Sequence, residues 1–435
     1  MKFTSTRDSD VSIDLSSALI AGLAPDGGLY VPRTLPELSV ADFDGLETVA
    51  ETGARLLRPF FADDPLANEL DAICAEAFDF PAPLRSLKPE HTHVLELFHG
   101  PTAAFKDFGA RFLAACMKRL RKPDRLPLTI LVATSGDTGA AVAAAFHGLA
   151  NLRVVVLYPD GRVSPRQAHQ LGCFPGNVTA LRVAGSFDDC QRLVKQALSD
   201  RELQQVVPLS SANSISLGRL LPQMAYYAHA AIRHWRRTGE PLNFVVPTGN
   251  LGNGLAAIMA RACGLPIGEI ALATNANRVL PDFFAGAVYS GRASIATLAN
   301  AMDVGAPSNF ERLAWLYPDN ATLRSAFTAV SVDDEAIRAT IGAGPSTHGE
   351  VFCPHTACAA HALERLRAER PEQDWAIVAT AHPAKFEQIV EALIGHPIAP
   401  PEALAKLLSR PSHAEPMAAE YTSLGTVLKR RIRAE

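Results

Sequence analysis

Leu128-Thr-Ile-Leu-Val-Ala-Thr134 runs into Ser135-Gly-Asp-Thr138 and then into Gly139-Ala-Ala-Val-Ala-Ala-Ala-Phe-His-Gly-Leu149. The first segment is a near-continuous apolar run, as a strand buried on both faces requires. The last is a small-residue helix, and a glycine-bearing polar loop joins the two. A strand that ends in such a loop and feeds a helix is the repeating unit of parallel α/β folds. The same alternation recurs. Strands are predicted at Leu152–Tyr158, Val178–Val183, Asn243–Val246, Glu269–Ala273 and Trp375–Ala379. Helices are predicted at Pro165–Leu171, Phe187–Leu198, Ser216–Trp235, Leu255–Cys263, Pro354–Arg370 and Pro383–Leu393.

Two such series imply two parallel-sheet α/β domains with a ligand cleft between them. The first 90 residues differ: the turn Ala24-Pro-Asp-Gly-Gly28 leads into Leu29-Tyr-Val-Pro32, helical segments follow through Phe78, and Pro81-Ala-Pro83 marks a boundary. The expected organisation is a mixed N-terminal extension over 1–90, a smaller α/β domain over 91–238 and a larger one over 239–435.

Composition narrows the class. The 435 residues are 48% hydrophobic and 20% charged, with a formal net charge of −4, which suits a globular enzyme and disfavours a general nucleic-acid or polybasic membrane binder. The basic runs Arg119-Leu-Arg-Lys122 and Lys429-Arg-Arg-Ile-Arg433 are short and read as a helix end and a solvated tail. No apolar run approaches bilayer-spanning length, and the N-terminus lacks the pattern of a signal peptide. Seven scattered cysteines without a C-x-x-C pair point to reduced thiols and a cytoplasmic location.

Two strand-to-helix junctions suit anions, the alternative for each being a glycine turn that only permits close packing: Thr134-Ser-Gly-Asp-Thr-Gly139 and Thr248-Gly-Asn-Leu-Gly-Asn-Gly254. Glycines let backbone amides converge, and the following helix adds its positive end. Neither junction is a P-loop or a dinucleotide fingerprint. A third polar cluster, Ser210-Ser-Ala-Asn-Ser-Ile-Ser216 ahead of Arg219, reads either as helix caps or as a further anion site. Cys353-Pro-His-Thr-Ala-Cys-Ala-Ala-His361 reads as helix packing rather than a metal site, and the pair His91 and His93 is no stronger. No G-x-S-x-G elbow is present.

The chemical focus is His99-Gly-Pro-Thr-Ala-Ala-Phe-Lys-Asp-Phe-Gly109. Lys106 stands among Phe105, Phe108 and small residues where the alanine-rich helix Ala110–Leu120 begins. Desolvation and a helix N-terminus both disfavour the charged amine, and a neutral amine is what Schiff-base chemistry needs. The competing reading is a lysine that packs its stem against Phe105.

Taken in order, the Lys106 stretch, Thr134-Ser-Gly-Asp-Thr-Gly-Ala140, Asn213-Ser-Ile215, Gly249-Asn-Leu-Gly-Asn253, Asn300-Ala-Met-Asp-Val-Gly305 and Thr380-Ala-His-Pro-Ala-Lys-Phe386 resemble the motifs of the threonine synthase family in its longer form. The resemblance spans almost the whole chain. It implies the tryptophan synthase β-like fold with pyridoxal 5'-phosphate between two α/β domains, and a monomer or homodimer. It implies conversion of O-phospho-L-homoserine and water to L-threonine and phosphate.

By the same resemblance Lys106 is the Schiff-base lysine, while Gly249, Asn250, Leu251, Gly252 and Asn253 cradle the cofactor phosphate. Thr380 meets the ring nitrogen, and Asp137 lies near the ring hydroxyl. Thr134, Ser135, Gly136 and Thr138 hold the substrate carboxylate. Asn213, Ser214 and Arg219 bind the substrate phosphate. Three positions depart from the family's frequent residues: Asp137 and Ser216, where asparagine is common, and Leu251, where phenylalanine is. If the cofactor lysine is another residue, Lys385 is the candidate.

Overall fold

The apolar runs become the strands of two parallel sheets. The computed structural model describes residues 1–121, 126–368 and 370–430. Lys122, the end of the tail after Arg430, and position 369 within the expected helix Pro354–Arg370 lie outside the described residues. In chain order the strands are β1 (Phe3–Ser5), β2 (Tyr30–Pro32), β3 (Leu84–Ser86), β4 (Thr92–Glu96), β5 (Leu128–Ala133), β6 (Leu152–Pro159), β7 (Val178–Ala184), β8 (Leu209–Ser211), β9 (Leu242–Pro247), β10 (Ile267–Thr274), β11 (Thr328–Ser331), β12 (Trp375–Ala379) and β13 (Glu415–Ala418).

The smaller sheet has the order β13-β7-β6-β5-β8 and is parallel throughout. The larger has the order β11-β10-β9-β12-β4-β3, parallel except for the β3–β4 hairpin at its edge. Every residue of β5, β9 and β12 is buried, so the unbroken Val, Ile, Leu and Ala runs are what two helix-covered faces select.

The sheets do not follow the expected split at 91–238 and 239–435. β4 lies in the larger sheet, paired with β12 over five positions from Thr92 against Trp375 to Glu96 against Ala379. β13 returns from the C-terminus to the smaller sheet and pairs in parallel with β7. Each sheet thus borrows a strand from the other half of the chain, which ties the two units together.

The segment expected as one helix over Ser216–Trp235 is broken. Helix Leu217–Leu220 gives way to a 3-10 turn at Leu221–Gln223 before helix Met224–Thr238. Pro222 brings no amide hydrogen and its ring crowds the preceding turn, so a continuous α-helix is not available there. In the N-terminal extension, helix Val49–Leu57 packs on Met224–Thr238. A Cβ at Gly53 would lie 2.8 Å from the Phe78 ring and 3.1 Å from Ala225 Cβ, so glycine sets that approach.

All seven cysteines are free and buried. Among the described residues no helix is long and apolar enough to cross a membrane. Within the basic runs, Arg119 pairs with Glu69 and Glu76, and Arg430 with Glu415.

The C-terminal helix Tyr421–Arg430 buries Leu424 and Leu428 in one cluster with Leu181, Val183, Leu193 and Met417 under the smaller sheet. Leu424→Ala is therefore expected to destabilise this sheet by about 2–5 kcal/mol, the range for truncating a buried leucine. Urea unfolding followed by circular dichroism checks this, with the midpoint expected to shift to lower denaturant.

Candidate active site

Four loops meet at the carboxyl ends of the strands: those after β5, β8, β9 and β12. Lys106 is delivered to this point by a backbone splice rather than by a strand of its own. Ala104 forms an isolated antiparallel bridge with Ala381. Phe105 N–H donates to Thr380 O at 2.8 Å, and His382 N–H donates to Ala103 O at 3.0 Å. Lys106 and Thr380 are thereby locked to one another. The lysine is the first residue of helix Lys106–Leu120, which starts earlier than the expected Ala110. The preceding turn is held by Asp107, which accepts from Thr102 N–H at 2.9 Å and from Thr102 Oγ1 at 2.7 Å. A Cβ at Gly100 would lie 2.5 Å from Asp107 Oδ2, so only glycine admits this cap.

Lys106 is half-buried, its amine 4.6 Å above the Phe105 ring. Among the described residues it has no carboxylate partner. Burial and the nearby Arg219 and Lys385 hold its pKa down to about 8, against a smaller opposing pull from Asp137. The nearest carboxylate is committed elsewhere. Asp137 lies 2.8 Å from Lys385 Nζ and accepts from Gln167 Nε2 at 2.9 Å. Burial pushes this carboxyl up, but Lys385, His355 and Gln167 outweigh it and hold the pKa at about 2. Asp137 is thus ionised, and the ion pair is sealed from water.

The glycine loops take different postures. In the first, Thr134 Oγ1 accepts from Gly136 N–H at 3.0 Å and from Gly139 N–H at 2.9 Å, so Thr134 shapes the loop from within. Gly136 has φ +126°, and a Cβ there would meet Gln167 at 2.6 Å. Ser135 and Thr138 remain half-exposed on the cavity wall. In the second, Leu251 adopts a left-handed φ of +64° directly before helix Gly252–Ala262. Asn250 bridges the loop to its neighbours, donating to Ser214 Oγ and accepting from Ser308 N–H. Asn253 Oδ1 accepts from both Tyr226 and Tyr227 hydroxyls, at 2.6 and 2.8 Å, which leaves Nδ2 buried without a partner.

The cavity has two connected parts. The outer one, about 540 Å³, is lined by Ser135, Thr138, Lys195, Asn213, Ser308 and the N-terminal Arg7, among others. The inner recess is lined by Gly249–Asn253, Arg219, Gln223, His355 and Thr380. Lys106, Ser214, Asn250 and Ala301 border both.

The expected trio Asn213, Ser214 and Arg219 is therefore divided. Asn213 faces the outer cavity and Ser214 stands at the junction, whereas Arg219 lies in the recess. Its side chain is buried, Nη1 donates to Ala212 O at 2.6 Å, and Nε has no partner. The close approach of helix Lys106–Leu120 puts Arg219 there: a Cβ at Gly109 would lie 2.7 Å from Arg219 O. Burial lowers the guanidinium to about 10, partly offset by Asp107.

Some contributors escaped the sequence reading. His355 is buried at the recess, where its Nε2 accepts from Ala301 N–H at 3.1 Å. Burial keeps it neutral, at about 4. Gln167 and Gln223 are likewise buried polar groups at the site, in segments expected only to be helical. Lys385 was legible as an alternative lysine, and its role as the Asp137 counter-ion was not.

The pattern of the pyridoxal-phosphate-dependent enzyme family matches residues 81–381, while those of the threonine synthase N terminus and C-terminal region match residues 2–78 and 356–427. Threonine synthase of Serratia marcescens is 38% identical over 427 residues, 98% of each chain. The crystal structure of Escherichia coli threonine synthase superposes with a TM-score of 0.91 at 37% identity, covering 99% of this chain and 100% of the other. The pyridoxal-phosphate-bound threonine synthase of Brucella melitensis gives 0.89 at 34%, covering 100% of both. Fold and site together define an enzyme that uses pyridoxal phosphate. Within that class the chain belongs to the threonine synthase family, a group of lyases.

The residues fit this cofactor. Arg219 Nε and Asn253 Nδ2 are buried donors without partners in the same recess as the glycine loop and a helix start, a donor set suited to a phosphate.

Asp137→Asn leaves Lys385 buried without a counter-ion, which is expected to destabilise the fold by about 3–5 kcal/mol at neutral pH. Because the folded carboxyl titrates below its unfolded value, its contribution is complete above pH ~4 and fades as the pH falls toward ~2. Urea unfolding across that range should show the gap between wild type and variant narrowing on the acid side.

Proposed function

We propose that the enzyme converts O-phospho-L-homoserine and water to L-threonine and phosphate. The observation that carries this reading is the Lys106 amine, held near pKa 8 without a counter-ion, at the junction of a recess rich in phosphate donors and a roomier polar cavity. Pyridoxal phosphate, when bound, supplies an electron-withdrawing system that acidifies C–H bonds beside the substrate amino group.

The chain supplies the rest. The amides of Gly249–Asn253, with Arg219 Nε and Asn253 Nδ2, hold the cofactor phosphate in the recess. The Thr380 hydroxyl, fixed to Lys106 by the backbone bridge, meets the ring nitrogen as a neutral partner. This tempers the electron withdrawal compared with a carboxylate. Asp137, tied to Lys385, stays anionic near the ring hydroxyl. Ser135 and Thr138, at the start of helix Asp137–Phe146, bind the substrate carboxylate. Asn213 and Ser214 face the substrate phosphate. Arg7 is spent on a bidentate pair with Glu311, so Lys195 is the cation we place at the leaving phosphate. Lys106 removes the α-proton and then moves a proton at Cβ. An amine divided between its two forms near neutral pH can both accept and return a proton.

The test feeds the cofactor-loaded enzyme O-phospho-L-homoserine and follows phosphate and L-threonine together, with equimolar release expected. Phosphate accompanied by a 2-keto acid and no threonine would overturn the reading in favour of a simple phospholyase. Lys106→Ala is expected to lower kcat by about a hundredfold to ten-thousandfold, the range of acid–base catalysis. Lys195→Ala should reduce kcat/KM by roughly tenfold, in keeping with one charge-assisted contact at a wet site. An unchanged kcat/KM would remove Lys195 from the phosphate site.

A further inference from the structure

At the opposite end of the larger sheet, three segments bring a second cluster together. His93 lies on β4 and Asp374 directly precedes β12, its hydrogen-bonded neighbour. His234 reaches them from helix Met224–Thr238. His93 Nε2 is 3.4 Å from Asp374 Oδ1, and His234 Nε2 is 3.4 Å from Asp374 Oδ2. One donor atom from each of the three residues lies within 4.8 Å of the others. The His234 side chain is fully shielded from solvent, and its Nε2 has no hydrogen-bond partner although it points at the carboxylate. The other nitrogen of His93, Nδ1, lies 3.2 Å from Ser86 Oγ, which orients the ring so that Nε2 faces the cluster. At the half-exposed rim, His91 Nδ1 is 3.0 Å from Asp374 Oδ1.

We propose that His93, His234 and Asp374 form a binding site for one divalent cation of the zinc class, with His91 orienting the Asp374 carboxylate from the rim. Nitrogen and oxygen ligands about 2.0–2.2 Å from a tetrahedral zinc stand roughly 3.3–3.5 Å from one another, and each imidazole nitrogen stands at this spacing from one oxygen of Asp374, His93 from Oδ1 and His234 from Oδ2, so the carboxylate offers both oxygens to the ion. Two imidazoles with one carboxylate, the fourth position left to water, select zinc, cobalt or nickel over calcium and magnesium, which take oxygen donors. Of the cluster, His234 backs onto an open cavity of about 850 Å³ lined in part by Thr48, Phe80, His229, Arg233 and Arg237, and the part-exposed Asp374 carboxylate beside His91 gives an ion a way in. One cation faces the site: Arg237, exposed, with Nη2 3.5 Å from His234 Nδ1. It turns outward into the cavity when the ion binds. Coordination braces helix Met224–Thr238 against the starts of β4 and β12. That helix carries Tyr226 and Tyr227, which hold Asn253 at the far end of the sheet. The role is structural, away from the reacting atoms.

The test uses the cofactor-loaded enzyme after chelation and dialysis. Calorimetric titration with Zn²⁺ should give one ion per chain with a submicromolar dissociation constant. His234→Gln and Asp374→Asn should each weaken binding at least a hundredfold and His91→Ala about tenfold, while Arg237→Ala should tighten it. Folding of each variant is checked by its cofactor absorbance. Should the buried variants fail to fold, Co²⁺ in the wild type decides: intense visible bands of a four-coordinate, nitrogen-ligated ion support the site. Weak bands of a hydrated ion, absence of stoichiometric uptake, or uptake unchanged in folded His234→Gln and Asp374→Asn would overturn it.

Discussion

The 2.8 Å pair between Asp137 and Lys385 sets the chemistry of the whole cleft. Two lysines and an arginine converge there, and Asp137 is the carboxylate within reach of both lysines. Because Lys385 and Gln167 occupy it, the anion is held in the wall of the recess, and Lys106 keeps its amine without a counter-ion. A buried charge pair is rarely a net source of stability, since desolvation of both partners offsets their attraction. Its value here is one of placement: it commits the carboxylate to Lys385 and leaves the Lys106 amine, lowered to about 8, without a counter-ion.

That arrangement relies on backbone connections more than on side-chain packing. The Ala104–Ala381 bridge and the two flanking hydrogen bonds fasten the lysine turn to the loop after β12. β4 and β13 each cross into the sheet of the other half of the chain, so neither sheet is complete without the other's sequence. The N-terminal extension joins in the same way. It packs Val49–Leu57 on the helix that supports Asn253 and sends Arg7 to the outer cavity wall. Extension, sheets and cleft thus form one interdependent frame.

Much of this was legible in the sequence because local physics suffices for it. Apolar runs ending in glycine loops, as at Leu128–Gly139 and Phe244–Gly254, declare buried strands and helix starts. The apolar setting singled out Lys106 but left a packed lysine as an equal reading, and the ordered motifs elsewhere in the chain favoured the cofactor lysine. β4 was missed because Thr92-His-Val-Leu-Glu96 carries polar residues at three of its five positions, without the alternation or the apolar run that marks a strand. They are buried only because a neighbouring strand and helix cover them. β13 holds a proline, tolerated because it lies on a sheet edge. Arg219 reads locally as a surface arginine one turn into a helix. Only the close approach at Gly109 turns it inward. The partnership of Asp137 with Lys385 and the placement of His355 beneath Ala301 join residues remote in sequence, and no local pattern announces either.

We propose that the Asp137–Lys385 pair reserves Lys106 for the cofactor. The most direct measurement is to load the enzyme with pyridoxal phosphate, reduce it with borohydride, digest it and locate the phosphopyridoxyl group by mass spectrometry. The account predicts stoichiometric label on Lys106 and none on Lys385. Label on Lys385, or label shared between the two lysines, would contradict it.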